Sequence, residues 1–420
     1  MGKKRLFYAT ELTFIFWAFL LGPLVGLSIA LLKWSIPKLA GYLSTLPFNP
    51  AVVFALASVS GSLIMGRMLE VAPRLAGPGI GDATWIITGA AGKGAWYWWP
   101  LKLFGTILCV GTGGGGLVGP SFFSGTATGV TLGKWLGVKK PAQLQALALL
   151  GAGAGVGAVL KAPLGGVIVA LEALGYQKGR GQLALRHTVA ALLTSLLAYL
   201  TLGGLLGFAP ILQLAAPLPR LESLSALGPV AAAALLGGLA AKAYIELFRH
   251  AGLLWQSWAP HWLQPALGAL LTAPIVILLS TGNSSALQPY EIGRPGLAPL
   301  QDALLGKLGA LALLSLTVGK ALDVGIRAGS EGTVGIFGPA MWVGGLGGAL
   351  VGFLPSSAPD PLFAVAGIAA GIAAAMEFPL AAMVITVEIF GRGATLPAML
   401  GGIIGALVWR HGDRLGAKAR

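Results

Sequence analysis

The residues of this chain best placed to do chemistry offer their backbone. Gly111 to Gly125 reads GTGGGGLVGPSFFSG, and Ser330 to Gly344 reads SEGTVGIFGPAMWVG. Aligning Pro120 with Pro339, an offset of 219 residues, stacks Gly116, Leu117, Val118 and Gly119 on Gly335, Ile336, Phe337 and Gly338. Both copies share G-h-h-G-P-[SA]-h-aromatic-x-G, with h apolar. A glycine run entering an apolar segment through Pro predicts a helix start with Pro in the first turn, where its missing N–H is harmless and neighbouring N–H groups are unpaired. Such donors, at the positive end of a helix dipole, attract anions.

Side-chain chemistry is thin by comparison. GPSFFSG does not make the serine turn of an intramembrane protease, and His187, His250, His261 and His411 have no convincing catalytic partner. Gly92, Lys93 and Gly94 lack the leading Gly and following Ser/Thr of a nucleotide loop. The segment Arg249–Pro265, RHAGLLWQSWAPHWLQP, reads as an interfacial aromatic belt, since no His, Cys or carboxylate has ligand spacing. Cys109, in LKLFGTILCVG, reads as a small buried hydrophobe. We expect no enzyme activity, no cofactor and no metal.

The second glycine stretch, with Lys320 before it in KALDVGIRAGSEGTVGIFGPAMWVGG, closely resembles the GxFxP anion-binding segment of the CLC family of chloride channels and proton-coupled chloride antiporters. GLVGP stands where that family has GREGP, and GPGIGD, Gly77 to Asp82, stands where it has GSGIP. The resemblance runs from roughly Glu11 to Trp409. It implies an all-α polytopic membrane protein, an inverted repeat of two halves with broken, tilted helices, assembled as a homodimer with one pathway in each subunit. It implies an anion site made from Gly77, Pro78, Gly79 and Ile80, from Leu117, Val118 and Gly119, and from Ile336, Phe337 and Gly338. The N–H groups of Ile336 and Phe337 would be central. Chloride is large and weakly hydrated, so N–H and hydroxyl donors hold it without the full charge that would trap it.

The departures from the family bear on coupling. In the family the glutamate of GREGP competes with chloride for the anion path and carries a proton; Val118 occupies its place. The internal proton-transfer glutamate follows the one that ends the APLxG helix, and here Ala173 follows Glu172. Neither Val nor Ala takes a proton, so the expectation is a passive chloride-like channel. Pro78 replaces a chloride-binding serine and has neither hydroxyl nor N–H, which predicts relaxed or nitrate-shifted selectivity. The family's inner-gate tyrosine is missing after Trp409, so its last helix looks shortened or absent. Asp82 aligns with a cytoplasm-facing acid, and Glu331 replaces a usual glycine with no role assigned. A proton-coupled antiporter using a non-standard carboxylate, Glu331 the candidate, is the alternative, as is a non-conducting protein of the same fold.

The elements that hold these segments follow from composition. With 56% apolar and 10% charged residues, 65 glycines in 420 and a mean hydropathy of +0.82, the chain lies outside the soluble range. Its net charge of +14 is scattered singly between apolar spans, which argues against a nucleic-acid partner and for membrane lipid. Lys3, Lys4 and Arg5 precede the first span, and Arg410, Arg414, Lys418 and Arg420 follow the last; both termini are expected in the cytoplasm, with the protein in the plasma (inner) membrane. The apolar run Phe7–Leu32 reads as a retained helix, and no regulatory domain is expected after residue 420.

Two further motifs recur. Lys102 and Lys320 each lie nine residues before the glycine runs, and KAPLGGVIVALE (Lys161–Glu172) matches EFPLAAMVITVE (Glu377–Glu388) at an offset of 216. Short Gly- and Pro-interrupted helices repeated in two halves indicate a transporter fold with a midplane site. We place the first repeat at 1–206, a connector at 207–229 and the second, inverted repeat at 230–420.

Overall fold

A computed structural model describes residues 2–87, 95–175, 188–218, 226–281, 296–354 and 359–416. Gly92, Lys93, Gly94, His187, Lys418, Arg420 and connector residues 219–225 lie outside them. At Asp82, Ala173, His411 and Arg414 only a helical backbone is described.

Among the described residues the regular structure is helical, apart from one isolated β-bridge. The helices that matter below are α1 (Gly2–Ser44), α2 (Pro50–Val71), α3 (Ile80–Ile87), α4 (Ala95–Gly111), α5 (Val118–Trp135), α6 (Pro141–Leu160), α7 (Pro163–Gly175) and α8 (Thr188–Leu206). They continue as α9 (Leu227–Trp258), α10 (Gln264–Thr281), α11 (Ala298–Leu304), α12 (Ala310–Gly329), α13 (Phe337–Ala349), α14 (Pro361–Met376), α15 (Pro379–Phe390) and α16 (Thr395–Gly416). Among the described residues, six helical segments are long and apolar enough to cross a membrane, including Thr13–Ser44, Pro141–Leu160 and Leu227–Trp258. Such a segment needs about 20 residues. The shorter α13, α14 and α15 are apolar too, as expected of broken helices.

The packing makes two compact units. One comprises Met1–Ser35, Gly79–Phe104 and Val118–Ala209; the other comprises Ile36–Pro78, Gly105–Leu117 and Pro210–Arg420. The duplication boundaries at 206 and 230 and the packing division therefore follow different lines. Within the first unit α5 crosses α6 backbone to backbone. A Cβ on Gly125, Gly129 or Gly155 would collide with the carbonyl of Gly151, Leu147 or Ser121. Within the second, α13 crosses α14 in the same way: a Cβ on Gly344, Gly348 or Gly371 would meet the carbonyl of Gly367, Phe363 or Ala340. Every residue of the second set is the first-set residue moved on by 219 on the entering helix or by 216 on its partner. Lipid offers no hydrophobic drive between helices, so close glycine contact supplies the dispersion and dipolar contacts that hold each crossing.

The breaks repeat as well. α6 ends on Lys161 (φ 54) and α14 on Glu377 (φ 63), both left-handed, with Pro163 and Pro379 opening the next helix. Lys161 donates from Nζ to the Gly207 carbonyl at 2.8 Å and to that of Ala209, closing the C-terminal end of α8. Burial holds its ammonium pKa below the ordinary lysine value.

Several boundaries differ from the sequence reading. The first helix runs on to Ser44 rather than Leu32, because Lys33 and Lys38 interrupt the hydropathy without interrupting the backbone pattern. The connector ends earlier than Pro229: α9 starts at Leu227, and a proline in a first helical turn costs no hydrogen bond. The last described helix, α16, runs past Trp409 to Gly416. The short helices α3 and α11 were not read as elements, being too brief for periodicity to register.

Candidate functional site

The C-terminal end of α12 and the start of α13 frame the central segment, and each link has a local cause. Ser330 caps α12 by donating its N–H to the Ile326 carbonyl at 2.9 Å. Glu331 then takes a left-handed conformation (φ 64), which explains why glycine is usual at this position in the family it resembles. The chain turns back as Gly332 N–H donates to Arg327 O at 3.1 Å and Val334 N–H to Gly332 O at 2.8 Å. Gly335 then pairs with Gly116. Each donates its N–H to the other's carbonyl at 2.8 Å, an antiparallel bridge between the two residues that the repeat makes equivalent. A bridge of this kind has local two-fold symmetry.

Beyond the bridge the donors open. The N–H groups of Ile336, Phe337 and Gly338 have no hydrogen-bond partner among the described residues, Pro339 has none to give, and Ala340 N–H makes the first helical bond, to Ile336 O at 3.1 Å. Ile336 is 8% and Phe337 1% exposed. Three consecutive open amides thus stand at the start of a buried 13-residue helix, where a helix terminus favours negative charge. Tyr244, on α9 and fully buried, brings its hydroxyl to the Ile336 carbonyl at 3.3 Å. Sequence reading looked for a tyrosine after Trp409 and overlooked this one.

The Gly77 turn is stitched to the same loop. Gly77 N–H donates to Glu331 O at 3.0 Å, and Thr333 Oγ1 donates to Leu75 O at 3.0 Å. Gly77 is left-handed (φ 67) and Pro78 follows it directly. The second unit thus gathers Gly77, Pro78, Gly116, Ile336, Phe337 and Gly338. In proteoliposomes, Pro78→Ser should lower nitrate efflux relative to chloride by about threefold, the worth of roughly one recovered hydroxyl hydrogen bond. An unchanged ratio would remove Pro78 from selectivity.

The first unit gathers Gly79, Ile80, Val118 and Gly119. Gly79 (φ 88) lies against the start of α5: a Cβ there would sit 3.2 Å from the Gly119 carbonyl and from Phe123 Cβ, and 3.3 Å from Lys102 Cε. Ile80 opens α3, and Leu117, half-buried, leads into buried Val118, the first residue of α5. The N–H groups of Leu117, Val118 and Gly119 likewise have no partner among the described residues. Pro120 and Pro339 both fall in a first helical turn, as the motif predicts. The two repeated lysines are both buried and both face an aromatic ring of their own unit, Lys102 Nζ 5.4 Å from the Phe123 centroid and Lys320 Nζ 4.7 Å from that of Trp342. Phe123 and Trp342 are themselves 219 residues apart, so the cation–aromatic contact is part of the duplication.

Glu331 acquires surroundings that the sequence did not supply. His261, read as having no partner, places Nδ1 2.9 Å from both Glu331 carboxylate oxygens. The pair borders a cleft of about 470 Å³ lined also by Leu69, Glu70, Pro73 and Trp262, and the Arg67 guanidinium stacks 3.8 Å from the Trp262 ring centre. Glu172 and Glu388 are both half-buried near the ends of α7 and α15. No group of three or more His, Cys, Asp or Glu that would hold a metal ion occurs among the described residues.

The profile of the family described as "Voltage gated chloride channel" matches residues 63–410. An uncharacterized protein of Methanocaldococcus jannaschii is 26% identical over 304 residues, 72% of each chain. The H(+)/Cl(-) exchange transporter ClcA of Vibrio cholerae is 24% identical over 347 residues, covering 80% of this chain and 72% of that one. Among solved structures, a slow cyanobacterial Cl-/H+ antiporter superposes with a TM-score of 0.82 at 23% identity, over 95% of this chain and 94% of the other. At that identity the superposition speaks for the fold.

Proposed function

Since the chain belongs to the voltage-gated chloride channel family, we propose that it is an integral membrane protein that conducts chloride and similar monovalent anions passively, without proton coupling. The observation that carries this reading is the Gly116–Gly335 bridge, which ties the two glycine motifs together and leaves the Ile336, Phe337 and Gly338 N–H groups open at the start of α13. Amide donors bind a halide moderately enough to release it, as conduction requires. The same unit adds Gly77, Pro78 and Leu117, and the family resemblance alone adds Gly79, Ile80, Val118 and Gly119.

Passivity rests on two side chains. Val118 and Ala173 stand where the resemblance implies proton-carrying glutamates, and neither titrates. The Vibrio cholerae relative is named as an exchanger; this chain would keep the anion half of such a mechanism and lack the proton half. The functional protein is a homodimer with one pathway per subunit, in the inner membrane, with both termini cytoplasmic. The outward leucines of α8, among them Leu192, Leu196 and Leu200, suit a lipid or subunit contact.

The test is efflux of chloride, nitrate, bromide and fluoride from proteoliposomes with simultaneous recording of protons. Anion efflux should proceed with no stoichiometric proton movement. A second reading, coupling through Glu331, is favoured by the His261–Glu331 pair and by the Glu331 carbonyl that holds Gly77. It predicts chloride-driven proton movement that disappears in Glu331→Gln. On the passive reading that variant changes proton movement not at all, because there is none to lose.

A further inference from the structure

We propose that Arg327 is a positioning residue for anion selectivity. By bridging α2, α10 and α12 it fixes the turn that sets the spacing of the open amides, an inference that rests on the anion-conducting reading above. Arg327 is 3% exposed and Asp323, one helical turn earlier, 0%. Its Nε–H is shared between Asp323 Oδ1 at 2.7 Å and Thr272 Oγ1 at 2.8 Å, while Nη1 donates to Ser58 Oγ.

This is not the arrangement an ion pair would choose for its own sake. A guanidinium and a carboxylate pair best fork to fork, with two parallel N–H···O bonds. Here Arg327 spends one nitrogen on Asp323 and another on a serine from a different helix. Nη2 and Asp323 Oδ2 have no partner among the described residues. A buried charge pair costs desolvation, and apolar side chains of similar volume often hold a core as well. What the geometry gains is a fixed point shared by three helices.

That fixed point lies under both glycine motifs. The Arg327 carbonyl accepts from Gly332 N–H at 3.1 Å and from Ser330 Oγ at 3.0 Å, which shapes the turn after α12. Its side-chain stem underlies the glycine run of the first repeat: a Cβ on Gly114 would sit 3.3 Å from Arg327 Cδ and 3.1 Å from Val334 Cγ1. Two residues beyond Gly114 and one beyond Val334 comes the Gly116–Gly335 bridge, and directly after Gly335 the donors of Ile336, Phe337 and Gly338. A shift of the guanidinium therefore moves the donors as a set, and a site of fixed donors discriminates between anions by their spacing.

The experiment compares chloride and nitrate efflux from full-length wild type, Arg327→Lys and Thr272→Val in proteoliposomes, normalised to folded protein. Lysine keeps the charge and loses the three-helix bridge; valine removes one acceptor, leaves the ion pair, and supplies the reading if the lysine variant does not fold. The nitrate-to-chloride ratio should change by about three- to tenfold, toward the order set by hydration alone, the size of one hydrogen bond to a charged group. Ratios within about 1.5-fold of wild type in the variants that fold, well below the worth of such a bond, overturn the inference, since a merely structural role alters yield and not selectivity. Wild type with no anion efflux would instead overturn the conducting reading itself.

Discussion

Gly116→Ala is expected to abolish anion efflux, with a loss of at least about 100-fold per folded molecule. The methyl would lie 2.7 Å from Pro339 Cδ and 3.0 Å from the Gly335 carbonyl, inside the contact distance of both. Relief requires the two strands to separate. That forfeits both bridge hydrogen bonds, about 1 kcal/mol each, on top of about 1–3 kcal/mol of overpacking. The amides of Ile336 to Gly338 follow the bridge directly and lose their register with it. Gly41→Ala, within α1, is the control, because its methyl would find nothing within 4 Å. It should fold and conduct at close to the wild-type rate. Equal flux from Gly116→Ala would show that the bridge does not organise the site.

Val118→Glu is expected to lower chloride efflux at pH 7 by more than about tenfold, the effect of an ionised carboxylate competing with the anion for the same donors. The sign follows from the titration. At high pH the carboxylate is charged and excludes chloride; as pH falls it takes up a proton, the charge disappears and efflux recovers. Val118→Gln, of similar size and without charge, should show no such pH dependence. Val118 is buried at the start of α5 beside amides without partners, where a charge would act through little intervening water. A pH-independent Val118→Glu would place residue 118 outside the anion path.

Much of this was legible because backbone chemistry leaves a strict residue code. Open amides at a helix start need small residues before the turn and proline just within it, and both glycine motifs keep that order. The duplication was legible for the same reason, since helices crossing at carbonyl contact tolerate only glycine at Gly125, Gly151, Gly344 and Gly367. Alignment made Gly116 and Gly335 equivalent but said nothing of their meeting, because equivalence in a repeat becomes contact only for residues on its axis.

Side chains were harder. His261 and Glu331 are 70 positions apart, and no periodicity links them. Tyr244 lies within an apolar helix where an aromatic residue ordinarily means packing. Asp323 and Arg327 were within reach, since a four-residue spacing is the helical salt-bridge signature. They lie in KALDVGIRAG, where the family resemblance singles out only Lys320.

The passive account is tested most directly by the reversal potential of wild-type protein in a planar bilayer under a chloride gradient, with a pH gradient imposed and then removed. Amides that hold chloride with no proton carrier beside them predict a reversal at the chloride equilibrium potential, the same with and without the pH gradient. A reversal that moves with the pH gradient would contradict the account and make the protein an exchanger.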